Sequence, residues 1–120
     1  MGNGGMALLH LDEVLETVRK FLSSDEGSVV AYLFGSYSRG DFTDESDVDV
    51  LVISERPLET RERLYDLSWE IQMRYGIPVS FVVIPEERWR RGLTPLKEVA
   101  LREGIVIWER RRGKKSRGLT

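Results

Sequence analysis

The chain contains no cysteine and one histidine, His10. The first absence excludes disulfides, cysteine-ligated zinc, iron–sulfur clusters and thiol catalysis. The second excludes metal sites built from several histidines. No apolar run approaches the ~18 residues that a membrane-spanning helix requires. The N-terminus also lacks the basic flank and apolar core of a secretory signal. These absences predict a soluble, cytoplasmic protein with no membrane partner. Basic residues are scarce outside one segment. Residues 110–120 hold six of them and no acid, whereas residues 1–109 hold twelve against twenty acids. An acidic body argues against a general nucleic-acid surface. The 120 residues suit one core rather than two, and 41% hydrophobic content is enough to pack it.

Hydrophobic spacing orders the chain. Residues 1–7 are Gly-rich and expected to be mobile. Leu8, Leu11, Val14, Leu15, Val18 and Leu22 follow helical periodicity, and the helix should end near Ser23 and Ser24. Val29 to Phe34 reads as a buried strand, stopped by Gly35. After a polar stretch from Ser36 to Ser46, Val48 to Ile53 reads as a second strand. Pro57 to Tyr75 is a helix with an irregular apolar face of Leu58, Leu64, Leu67, Trp69, Ile71 and Met73. Gly76 and Pro78 end it. Val79 to Ile84 is a third strand, Pro85-Glu86-Glu87 opens a short helix, and Thr94-Pro95 opens another that runs to Glu103. Ile105 to Trp108 is a last strand. The order predicts an α+β (α/β-like) fold, a small mixed sheet flanked by helices, spanning residues 1–109. The basic residues 110–120 are expected to form a disordered tail.

Three features coincide between residues 35 and 52. Gly35-Ser36 follows a buried strand directly, where a glycine admits close approach and a hydroxyl with free amides can cradle an anion. The plain alternative is an ordinary turn, and on its own the dipeptide favours that alternative. Asp47 and Asp49 stand two apart, so strand alternation points both side chains to one face. Two carboxylates held that close repel, and a divalent cation relieves them. Oxygen-only donors favour magnesium or manganese. An exposed strand start is the alternative here, but the run Val50 to Ile53 argues for burial. A phosphate cradle beside a metal pair suits nucleoside-triphosphate chemistry.

Gly35-Ser36, ten residues, then Asp47-x-Asp49, with Gly40 and Ser46 in place, resembles the minimal nucleotidyltransferases of the DNA polymerase β superfamily. The resemblance extends from about Val29 to Trp108. It implies that Gly35 and Ser36 hold the triphosphate and that Asp47 and Asp49 bind magnesium (or manganese). Arg39 and Ser46 are further candidates for nucleotide contacts. The implied reaction moves a nucleoside monophosphate, AMP from ATP, to a hydroxyl and releases pyrophosphate. Members of this kind pair with a helical HEPN toxin, so such a protein is the implied partner and acceptor. A homo-oligomer is an open alternative. The superfamily's third acidic residue should align with Ser80, and serine cannot act as a carboxylate base. A catalytically weak module that binds a nucleotide or a partner is therefore the second expectation.

Among the remaining residues, His10 is expected at the surface or in a capping role, and Trp89 as a packed indole within an exposed basic patch.

Overall fold

The computed structural model describes the backbone of residues 3–43 and 46–111, with side chains from His10 onward. Helix α1 spans Asn3–Ser24. It is followed by strand β1 (Ser28–Phe34), helix α2 (Gly35–Arg39), strand β2 (Val48–Ser54), helix α3 (Pro57–Tyr75) and strand β3 (Val79–Pro85). Helices α4 (Glu86–Arg90) and α5 (Leu96–Glu103) and strand β4 (Ile105–Glu109) complete it. The four strands form one sheet in the order β3-β2-β1-β4. β1 runs antiparallel to β2 and β4, and β2 runs parallel to β3, so the sheet is mixed as expected.

Strand alternation splits the core into two layers. Ala31 and Leu33 of β1 and Val48, Val50 and Val52 of β2 face α1 and α3, meeting Val14, Val18, Leu64, Leu67 and Ile71. Tyr32, Leu51 and Ile53 face the other way, toward Trp89 and Ala100 of the two short helices. β2 is thus buried on both faces, which accounts for its unbroken apolar run. Asp49 shares parity with Leu51 and Ile53. It therefore lies on the face turned toward α4 and α5.

Several boundaries differ from expectation. α1 starts at Asn3, so residues 3–7, expected outside the helix, lie in its first turns. Extending an existing helix costs far less than nucleating one, which lets it run into a poor Gly-rich start. Residues 1 and 2 lie outside the described residues. The stretch from Ser36 to Ser46 is not all loop, because Gly35 adopts φ +69° and turns the chain straight from β1 into α2. The expected tail starts too early. The Arg110 amide donates to the Val29 carbonyl at 2.9 Å, extending the sheet by one bond, and its guanidinium pairs with Glu55 at 3.0 Å. Residues 112–120 lie outside the described residues.

α3 also departs from its expected face. Thr60, Leu64, Leu67 and Ile71 are buried, whereas Leu58, Trp69 and Met73 are 71%, 64% and 69% exposed. The apolar residues of α3 belong to two faces, and only one packs on the sheet. His10 stays at the surface, 3.1 Å from Glu13 and against the Tyr75 ring. Trp89 is packed against Tyr32 as expected, with Lys97 over its ring.

Candidate active site

Antiparallel pairing sets Phe34, the last residue of β1, opposite Asp49 in β2. The next residue, Gly35, therefore turns beside the Asp49 carboxylate. A Cβ at position 35 would collide with Asp49 Oδ2, so glycine is required twice, for this approach and for its positive φ. Ser36 follows in the first turn of α2, where amides lack intrahelical acceptors. The Ser38 hydroxyl donates to the Gly35 carbonyl at 2.9 Å, and Gly40 closes the helix with φ +85°, its backbone N–H donating to the Ser36 carbonyl. Buried Tyr37 stacks on Phe42 with ring centres 4.4 Å apart and an interplanar angle of 6°. This stack holds the chain as it returns toward β2.

Asp47 stands exposed just before β2, and Asp49 is half-buried within it. Burial pushes the Asp49 carboxyl above its usual range, and the charge of Asp47 pushes it further. The Arg39 guanidinium offsets part of this. Arg39 itself lies 3.3 Å from Asp41 and 4.0 Å from Glu103. It joins the site through its field on Asp49. Ser46 takes a different place: its hydroxyl accepts the Thr43 amide at 2.8 Å and its own amide donates to the Thr43 carbonyl. It closes the turn that leads into Asp47. The structure thus brings Gly35, Asp47, Asp49 and Arg39 into one electrostatic neighbourhood and leaves Ser46 bracing the loop.

The parallel register of β2 and β3 sets Ser80 directly beside Asp49. Glu86 and Glu87 cannot fill that place. They follow Pro85, which pairs with Ser54, five positions from Asp49 or about 17 Å along the strand. They pair instead with Arg90 and Arg91 on α4 and the turn after it. Among the described residues no third acidic group or histidine joins Asp47 and Asp49. A cavity of about 240 Å³ opens next to Asp49, walled by Phe34, Leu51, Val82 and Leu96. These apolar walls were not legible in the sequence, because they come from four elements and meet only through the register of three strands and the packing of α5.

The sequence model of the nucleotidyltransferase domain matches residues 15–107. The chain belongs to the nucleotidyltransferase family. One relative, a Methanocaldococcus jannaschii protein named "Putative protein adenylyltransferase", is 35% identical over 105 residues, covering 83% of this chain and 70% of the relative. Among solved structures, a nucleotidyltransferase of Sulfolobus solfataricus, itself assigned by inference, superposes with a TM-score of 0.54 at 26% identity. That match covers 92% of this chain and 93% of the other. A toxin–antitoxin structure solved with AMP-PNP gives a TM-score of 0.62 at 24% identity, covering 84% and 77%. The nucleotidyltransferase match runs from α1 to β4 and so includes every residue of the site just described. Among the described residues no helix is long and apolar enough to cross a membrane.

Proposed function

We propose that this chain transfers a nucleoside monophosphate, AMP from ATP, to a hydroxyl on a partner protein, a HEPN-type toxin. The observation that carries this reading is the packing of the Gly35 turn onto Asp49, with Asp47 at the start of the same strand. This contact between the Gly35 turn and Asp49 supports reading the turn as an anion cradle beside the carboxylates. The donor set fits magnesium or manganese: two hard carboxylates, one of them left electrostatically uncomfortable by its neighbour. Held by Asp47 and Asp49, such an ion would neutralise phosphate charge during transfer.

The remaining roles belong to the chain. Gly35 and Ser36 orient the phosphates through backbone and hydroxyl, which is worth rate through positioning. Arg39 supplies fixed positive charge nearby. The apolar cavity beside Asp49 excludes water from part of the bound nucleotide. The acceptor oxygen bonds to the α-phosphorus, the bond to pyrophosphate breaks, and the hydroxyl proton must leave.

Proton removal is where a second reading gains support. Ser80 occupies the position beside Asp49 from which a carboxylate would accept that proton. A module that binds nucleotide and partner but turns over slowly would have this arrangement. Label transfer from α-phosphate-labelled ATP with magnesium separates the two, using a HEPN protein encoded beside this gene as acceptor. A labelled acceptor band, absent with Asp47→Asn/Asp49→Asn, is expected. Nucleotide binding without label would favour the module, and Ser80→Asp should then raise turnover.

A further inference from the structure

α3 carries a second apolar stripe that stands exposed among the described residues. Leu58, Tyr65, Trp69 and Met73 are 71%, 77%, 64% and 69% exposed. At about 100° per residue they fall within an arc of roughly 80° and run for about 22 Å. Their summed exposed surface is roughly 500 Å², taking 150–250 Å² for each aromatic ring. That is near the upper end of patches on monomeric proteins and more than half of the about 800 Å² that one side of a standard interface buries. Tyrosine and tryptophan at its middle are the residues that most often anchor such contacts.

One long edge of the stripe is acidic. Glu59, Glu62, Asp66 and Glu70 follow it at helical spacing. Glu59 lies 3.8 Å from Arg56, while Glu62, Asp66 and Glu70 form no ion pair among the described residues. Like charges four apart weaken a helix, so this row costs stability in the isolated chain. The opposite edge holds Arg61 and Gln72.

We propose that this outward face of α3 docks a partner protein through an apolar helix ridge bordered on one side by lysine or arginine. Charge argues against a second copy of this chain paired antiparallel. An antiparallel two-fold pairing of α3 would lay one acidic edge against the other, between bodies that are acidic over residues 1–109. The chain's own residues 112–120 are basic but offer one apolar side chain, Leu119, to a stripe four residues long. The face lies across the sheet from Asp49, so this proposal stands apart from the proposed transfer reaction and can fail without it.

The test uses two fluorescent 18-residue helical peptides with the same leucine ridge, one edged with arginine and one with glutamate. Anisotropy against the full chain should show the arginine peptide binding at least tenfold more tightly. Trp69→Ser/Met73→Ser should weaken it at least tenfold, and Glu62→Lys/Asp66→Lys should reverse the preference. All four side chains are exposed, so both variants are expected to keep the wild-type circular dichroism and to melt within a few degrees of it. Equal binding of the two peptides, no binding, or indifference to both variants would overturn the proposal. So would a dimer in sedimentation velocity that Trp69→Ser/Met73→Ser dissolves, since that would give the face to a second copy.

Discussion

Two aspartates sit at opposite ends of the same strand pair and have opposite surroundings. Asp25 lies where Ser28 of β1 meets Ser54 of β2, and its side chain is 4% exposed. It accepts hydrogen bonds from Ser28 Oγ at 2.7 Å, Thr60 Oγ1 at 2.8 Å and Arg63 Nη1 at 2.9 Å. Thr60 stands 2.8 Å from Ser54 Oγ, which accepts the Arg56 amide at 2.9 Å. Burial alone would raise the Asp25 carboxyl, but these donors and the Arg63 charge together hold it below its usual range. Asp49, at the other end, receives no hydrogen bond from the described residues, and burial and Asp47 push it up. The cleft beside Asp25 is also the larger, about 420 Å³ against about 240 Å³ beside Asp49. Cavity size alone would not select the Asp49 end, since a cavity of about 590 Å³ along Gly92 to Leu101 exceeds both. Uncompensated charge chooses the end at which a cation has something to do.

The comparison is sharpest when each aspartate is removed. Asp47→Asn/Asp49→Asn should abolish label transfer, by about a thousandfold or more, and leave the melting temperature unchanged or higher. A large fall in melting temperature would mean that this pair is structural after all. Asp25→Ala should do the reverse. It leaves the buried Ser28 hydroxyl without its acceptor and takes one partner each from Thr60 and Arg63, a loss of about 2 kcal/mol or roughly 8 °C in melting temperature, with activity at 25 °C retained. An Asp25→Ala protein that melts normally would show that the network contributes little. Gly35→Ala joins both ends of the argument. The added methyl meets Asp49 and the backbone is held at φ +69°, so a loss of about 2 kcal/mol and a hundredfold fall in transfer should occur together. Urea midpoints and initial rates on one preparation check both.

The sequence was most legible where one local signal decides the outcome. The helix from Pro57 to Tyr75 has proline at its first position and Gly76 at φ +70° after its last, and both bounds agree with the structure. Gly35-Ser36 and Asp47-x-Asp49 were legible as a pattern, and only the family resemblance pointed to Ser80, which the parallel register of β2 and β3 sets beside Asp49. What stayed hidden depends on contacts between distant elements. Nothing local distinguishes Asp25 from a turn aspartate, since its partners Thr60 and Arg63 arrive 35 and 38 residues later. Thr60 is fully buried for that reason, a polar residue in a helix face that hydropathy alone would not assign to the core. Leu58, Trp69 and Met73 misled in the opposite sense. They were counted with the core face because apolar character does not say which surface a residue serves. Ser46 lies within the family pattern, yet its hydroxyl is engaged by the Thr43 amide.

The smallest expected effect is the dependence of stability on pH, and it distinguishes the two aspartates by sign. Asp25 titrates lower in the folded chain than in the unfolded one. Its contribution is therefore fully present above the unfolded value near 3.8 and is lost as pH falls through the folded value. Asp49 titrates higher in the folded chain. Its ionised form opposes folding at neutral pH, and that opposition fades as pH falls through the folded value toward 3.8. Relative to Asp49→Asn, the wild type should gain stability on mild acidification from neutral pH. Relative to Asp25→Asn, it should lose stability more steeply below about pH 4, where its Asp25 becomes protonated. Urea midpoints from pH 8 to pH 3 on the three proteins, without magnesium, read both slopes. If wild type and Asp49→Asn run parallel from pH 8 to pH 4, Asp49 is not the uncompensated charge. The contrast between the two ends of the sheet would then rest on Gly35 alone.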